Sequence, residues 1–205
     1  MIQARHKPAY TTFFRFFSRW KLKMHFHHLY TELEHPDPGK PLLLIMNHFS
    51  WWDGFIGYYL NNQYFRKKFH VMMLEEELSK RMFLNKAGAF SIRKSNRSIL
   101  ESIRYSGDIL SSPDNMLLMF PQGVFQSQYH QTLKFERGIE KILNRSSLDP
   151  EILFNINLVE YFEHSSPSLY IRTRIYNGDR VSDLMAADFR EFHNSCISRQ
   201  EPELT

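Results

Sequence analysis

The sequence predicts an α/β fold, a mainly parallel central sheet flanked by helices, with an amphipathic helix at the N-terminus. Three observations carry this. The runs Leu42–Met46 and Met116–Phe120 contain no polar residue, which is the pattern of strands covered on both faces. Stretches with apolar residues at helical spacing lie between such runs, and strands alternating with helices favour parallel pairing. The opening 21 residues gather bulky aromatics on one helical face.

In residues 10–21, Phe13, Phe16, Phe17 and Trp20 stand at i, i+3, i+4 and i+7. Phe14 widens that face, and Arg15, Ser18 and Arg19 fall opposite. Such a helix can lie in a membrane interface; it can also pack on the protein's own core, and the two are compatible. The chain is accordingly divided into a membrane-contacting helix, 1–21, and a globular domain, 22–205. Residues 22–30 alternate loosely and predict a strand. His35-Pro36-Asp37-Pro38-Gly39 predicts a turn, because two prolines and a glycine interrupt regular backbone. After the strand Leu42–Met46 come a helix over Gly54–Leu60, a strand over Phe69–Leu74, a helix over Glu75–Lys86 and a short strand over Ala89–Ile92. Asn96 is placed to cap a helix reaching about Leu110, with Ile99, Leu100 and Ile103 inward. Pro121-Gln122-Gly123 ends the strand Met116–Phe120. A helical pattern over Phe135–Leu143, strands over Ile152–Val159 and Leu169–Tyr176, and a helix marked by Met185, Phe189 and Phe192 complete the order.

The 205 residues suit one domain, able to bury a core without disulfides. The single cysteine, Cys196, excludes an intrachain disulfide and suits a reducing compartment. Arg5, Lys7, Arg15, Arg19, Lys21 and Lys23 fall in the first 23 positions, where no acidic residue stands, and the rest of the chain is slightly acidic. The basic character therefore belongs to the N-terminus. That argues against a broad nucleic-acid face and for local contact with an anionic surface. No apolar run approaches the roughly 20 residues that span a bilayer, and Arg15 and Arg19 interrupt any signal-peptide core. The expectation is a cytoplasmic protein, peripheral on the inner face of the membrane.

The segment that carries chemistry is Asn47-His48-Phe49-Ser50-Trp51-Trp52-Asp53, directly after Leu42–Met46. Sites in α/β folds gather beyond the carboxyl ends of strands. On one continuous helix, residues five apart point about 140° apart. His48 and Asp53 meet only if His48 lies in a loop and Asp53 in the first helical turn. A carboxylate so placed accepts one ring N–H, fixes the tautomer and stabilises the imidazolium, and the other nitrogen can take a proton from a hydroxyl. Histidine's ordinary pKa of about 6.5 suits that role. Spacing alone is met equally by a structural loop pair, and ten histidines make a chance match easy. His25, His27 and His28 form a second cluster, but no carboxylate or cysteine completes a ligand set at familiar spacing, so no metal is expected. Glu75-Glu76-Glu77 reads as a solvated helix start. No phosphate-cradling glycine loop or dinucleotide fingerprint appears, and no cofactor is expected.

Three further segments follow in order: Gly88-Ala89-Phe90-Ser91-Ile92-Arg93, Phe120-Pro121-Gln122-Gly123 and Phe135-Glu136-Arg137-Gly138. With the His-x4-Asp segment, and with Ile152–Val159 where a fourth block would lie, they resemble the glycerolipid acyltransferase family, that of the lysophosphatidic acid acyltransferases. The resemblance runs from about residue 22 to 178. It implies a fatty acyl group moved from acyl-CoA or acyl-carrier protein to a hydroxyl of a lysolipid-like acceptor. It implies His48 as general base, Asp53 as its orienting partner, Arg93 on the acceptor's polar head, and Asn47, Phe120, Pro121, Gln122 and Gly123 about the substrate.

The chain also departs from the family. Gln122 stands where a glutamate is usual. Val124-Phe125-Gln126 stand where members that bind glycerol phosphate often continue Thr-Arg-Ser, so an arginine able to pair with phosphate is Phe125. The fourth block, Asn155-Ile156-Asn157-Leu158, lacks its usual proline. These changes point away from lysophosphatidic acid, toward a less anionic acceptor such as a lyso-aminolipid, a glycolipid or a glycosylated pigment. Two other readings stay open: an acyl-thioester hydrolase, with water in place of the acceptor, and a lipid-binding protein without activity.

Overall fold

The computed structural model describes residues 1–92 and 96–200, of 96 and 97 the backbone only. Its strands are β1 (Leu29–Glu32), β2 (Leu42–Met46), β3 (Lys68–Leu74), β4 (Ala89–Ile92), β5 (Asn115–Met119), β6 (Glu151–Glu160) and β7 (Ser168–Ile175). They form one sheet in the order β1-β7-β6-β2-β5-β3-β4. The strands from β6 to β4 are parallel. β7 is antiparallel to β6 and β1 parallel to β7, so a reversed pair closes one edge. The sheet is mainly parallel, as the sequence predicts.

Parallel strands need crossover segments, and those segments cover the faces. α1 (Pro8–His25) and α2 (Asp53–Leu60) pack on one face with Leu42, Leu44, Met46, Met116 and Leu118. α4 (Asn96–Ile109), α5 (Ile139–Leu143) and α6 (Ser182–Ser198) pack on the other with Leu43, Ile45, Leu117 and Phe154. With both faces covered, every residue of β2 is buried. Gly57 lets α2 sit directly on β5: a Cβ there would stand 2.5 Å from Leu118 Cδ2.

α1 starts at Pro8, whose fixed φ and missing N–H suit a first helical position. It runs to His25, so the strand expected over 22–30 is reduced to β1, beginning at Leu29. The physical reason lies in the buried face. Phe14, Ser18 and Leu22 follow at intervals of four, and continuing the helix buries Leu22. Phe13, Phe16, Trp20 and Met24 face outward, with Phe16 68% exposed. Residues 1–7 are tied to the body. The Arg5 and Lys7 N–H groups donate to the Asn85 and Lys86 carbonyls, and the Ser91 N–H donates to the Ile2 carbonyl. The His6 ring sits edge-on to the His70 ring. Burial lowers the pKa of both, that of His70 to about 4, so they pack as neutral rings.

Three helices differ from expectation. α3 (Glu75–Lys80) stops early, and a separate 3-10 turn covers Leu84–Ala87. α5 begins only at Ile139, because Gly138 at φ +140° breaks the backbone and the Glu136 N–H is drawn to the Pro121 carbonyl. On α4, Ile103 packs against the core as expected, but Leu100 is exposed, and Ser98, Ser102 and Ser106, at a spacing of four, are buried beside it and allow close approach. The Asn96 side chain, expected to cap α4, lies outside the described residues.

Candidate active site

β2 ends at Met46, and the chain crosses a short loop into the first turn of α2. His48 lies in that loop and Asp53 opens the helix. His48 Nδ1 stands 2.8 Å from Asp53 Oδ2. The same oxygen accepts the N–H of Phe49 at 2.9 Å and of Ser50 at 3.0 Å, and Ser50 Oγ donates to Oδ1 at 3.3 Å. The Phe49 and Ser50 amides come from the loop before α2, and the dipole of that helix favours an anion in its first turn. Asp53 is fully buried. Burial pushes its carboxyl above the usual range, and the bonds from His48, Ser50 and Phe49 oppose that rise. The His48 side chain is 22% exposed. With Nδ1 on the carboxylate, Nε2 is the ring nitrogen left for an incoming group.

Two phenyl rings flank the imidazole. Phe120 stacks on it with centroids 4.2 Å apart, and Phe125 lies against it at 4.1 Å. Phe125 is itself 62% exposed. Beside the site, Trp51 is 56% exposed and contacts Phe55, which contacts Phe17 of α1. An unbroken series of aromatic contacts therefore joins the His48 loop to the outward stripe of α1.

The other residues expected at the site fall into distinct positions. Gln122 is buried; its Oε1 accepts the His48 N–H at 2.5 Å, and its Nε2 donates to the His48 carbonyl at 3.3 Å. Asn47 is buried and pairs with Asn157: Nδ2 donates to the Asn157 carbonyl at 2.9 Å, and Oδ1 accepts the Asn157 N–H at 2.8 Å. Both amides thus engage backbone. Pro121 is buried, and Gly123 is exposed at φ +65°, a turn conformation that glycine adopts without strain. Arg93 lies outside the described residues. His25, His27 and His28 turn to separate partners, the rings of Trp52, His164 and Tyr30.

Sequence reasoning missed three contributors. Ser50 holds the second carboxylate oxygen of Asp53. Phe125 lies tilted against the imidazole. Gln128 pairs with both backbone groups of Val159, each at 2.8 Å. The available signal was the run Gln122, Gln126, Gln128 after an apolar strand, together with Asn155 and Asn157 inside β6. Buried amides need partners, so amides in apolar surroundings mark a network.

A model of the Acyltransferase family matches residues 26–153. In structure the chain is similar to the 1-acyl-sn-glycerophosphate (LPA) acyltransferase PlsC from Thermotoga maritima. The two share 12% identity and a TM-score of 0.62, over 94% of this chain and 81% of that one. No curated protein matches the sequence. Among the described residues, no helix is long and apolar enough to cross a membrane.

Proposed function

The chain belongs to the acyltransferase family, and we propose that it moves a fatty acyl group from acyl-CoA or acyl-carrier protein to a hydroxyl of a lysolipid-like acceptor, with His48 as general base. The observation that carries this reading is the 2.8 Å contact between His48 Nδ1 and the buried Asp53. In the proposed reaction, His48 Nε2 takes the proton of the acceptor hydroxyl while its oxygen attacks the thioester carbonyl. The C–S bond then breaks, the imidazolium returns the proton to the departing sulfur, and the products are an ester and a free thiol. Asp53 stabilises the imidazolium between the two transfers.

The surroundings of His48 support an acceptor less anionic than lysophosphatidic acid. Phe125 lies on the imidazole, and a phenyl ring offers no donor to a phosphate. The test is acyl transfer from a labelled acyl-CoA to a panel of lysophosphatidic acid, a lyso-aminolipid and a monoacyl glycolipid. The expected product is an ester of a neutral or zwitterionic acceptor. Equal acylation of lysophosphatidic acid removes support for the acceptor assignment, and release of free fatty acid alone favours a hydrolase.

The same reading seats α1 on the inner face of a membrane. Phe13, Phe16, Trp20 and Met24 form an outward apolar stripe, Arg15, Arg19, Lys21 and Lys23 lie on the same helix, and the aromatic series through Phe55 and Trp51 leads toward His48. Charge and apolar area together suit an anionic lipid surface. The double variant Phe16→Glu/Trp20→Glu is expected to sediment with anionic liposomes at least about tenfold less well, since each buried aromatic contributes roughly 1.5–3 kcal/mol. Its melting temperature is expected to be unchanged, because both side chains are exposed. Deleting the whole helix would also remove Phe14, Ser18 and Leu22 from the core. Undiminished liposome binding by the double variant would show that this stripe is not the anchor.

A further inference from the structure

Beyond the carboxyl ends of β2 and β5 the ladder runs out: the Asn47 N–H still donates to the Asn155 carbonyl of β6, but among the described residues His48, next to it, bonds to no neighbouring strand. Side-chain amides take the place of that strand. A primary amide offers one carbonyl and one N–H₂ in the arrangement of a peptide, and can therefore pair with both polar groups of a backbone residue. Gln122 does this to His48, Asn47 to Asn157 and Gln128 to Val159. Gln126 adds its own N–H to the His48 carbonyl at 2.9 Å.

We propose that Gln122 is a positioning residue, whose buried amide clamps the His48 backbone and so aims the imidazole at Asp53 and at the incoming hydroxyl. The inference rests on the reading of His48 as the base. It replaces a substrate contact with a contact to the base's own main chain. The flanking pairs tie both segments that Gln122 bridges to β6, the His48 loop through Asn47 and Asn157 and the loop that carries Phe125 through Gln128 and Val159. The chemistry explains why an amide serves where a carboxylate would serve less well. An ionised glutamate at 122 would accept the His48 N–H but would set a second, negative oxygen against the His48 carbonyl. Only its protonated form restores a donor.

The test compares the wild-type chain with Gln122→Met, Gln122→Glu and His48→Ala, measuring kcat, acceptor KM and the melting temperature. Gln122→Met keeps the length of the side chain and removes both bonds. Its kcat is expected to fall roughly 10–100-fold, the scale of a misplacement of about 1 Å in a reacting group, with acceptor KM within about twofold. Gln122→Glu is expected to lose less, with a deficit that deepens between about pH 6 and pH 8 as the carboxyl gives up its proton. This variant also serves if the methionine variant does not fold. A rise in acceptor KM with kcat unchanged would place Gln122 on the substrate and overturn the clamp; so would an unchanged kcat. His48→Ala separates the two claims. Activity surviving in that variant ends the assignment of the base, whereas an inactive His48→Ala beside an unaffected Gln122→Met ends the clamp alone.

Discussion

His48→Ala is expected to reduce acyl transfer by about 10²–10⁴, the usual worth of a positioned general base, while leaving the fold in place. The structure gives reasons for both halves. With Nδ1 on the buried carboxylate, Nε2 is the imidazole nitrogen left to take a proton, and Phe120 and Phe125 flank the ring. The fold should persist because the bonds that anchor residue 48 run through its backbone. Gln122 pairs with the N–H and the carbonyl, and Gln126 donates to the same carbonyl; alanine retains all three. Asp53 would lose one donor and keep the Phe49 and Ser50 amides. Initial rates of thiol release in the presence of acceptor, with thermal melts of both proteins, check this. A variant that retains most of its activity would show that the imidazole is a structural partner of Asp53 and no more.

How far the sequence discloses this arrangement depends on what each signal measures. Apolar runs record burial on both faces, so β2 and β5 were legible as central parallel strands to within a residue. Helix ends were less legible, because tertiary packing decides them. Leu22 extends α1 into a stretch that alternates like a strand, and Gly138 holds α5 back to Ile139. On α4, Ile103 faces the core as its spacing predicts, whereas Leu100 does not, because periodicity marks it as apolar without marking where the small serines allow the closer approach. At the site, helix geometry set the condition on which His48 and Asp53 could meet, a loop-to-helix junction, and the structure fulfils it. The clamps were not legible in this way. A glutamine that pairs with backbone leaves no spacing signature, because its partner is a main-chain group common to every residue.

Asp53→Asn is expected to separate activity from stability. Because Asp53 Oδ2 bonds His48 Nδ1 and the Phe49 and Ser50 amides alike, an asparagine that keeps its carbonyl oxygen on those amides offers Nδ1 an uncharged acceptor. The imidazolium then loses its counter-charge. A loss of about 10³–10⁴ in kcat follows by analogy with the carboxylate of serine hydrolase triads. Stability should move the other way. Burial raises the Asp53 carboxyl above its ordinary range in the folded chain, so the unfolded chain releases that proton at lower pH than the folded one. The stability contributed by this group is whole below the ordinary carboxylate range and is lost as pH rises through the raised value. Above that raised value the fold carries a buried anion that asparagine would not impose. The melting temperature of Asp53→Asn at pH 7 is therefore expected to equal or exceed that of the wild type, with the advantage vanishing at about pH 3–4, where the unfolded carboxyl is also protonated. Thermal melts of both proteins at the two pH values decide the matter. A variant that is active but several degrees less stable at pH 7 would mean that Asp53 serves the fold. An inactive variant of equal or greater stability would mean that the carboxylate is retained for the imidazole it faces, against the interest of the core around it.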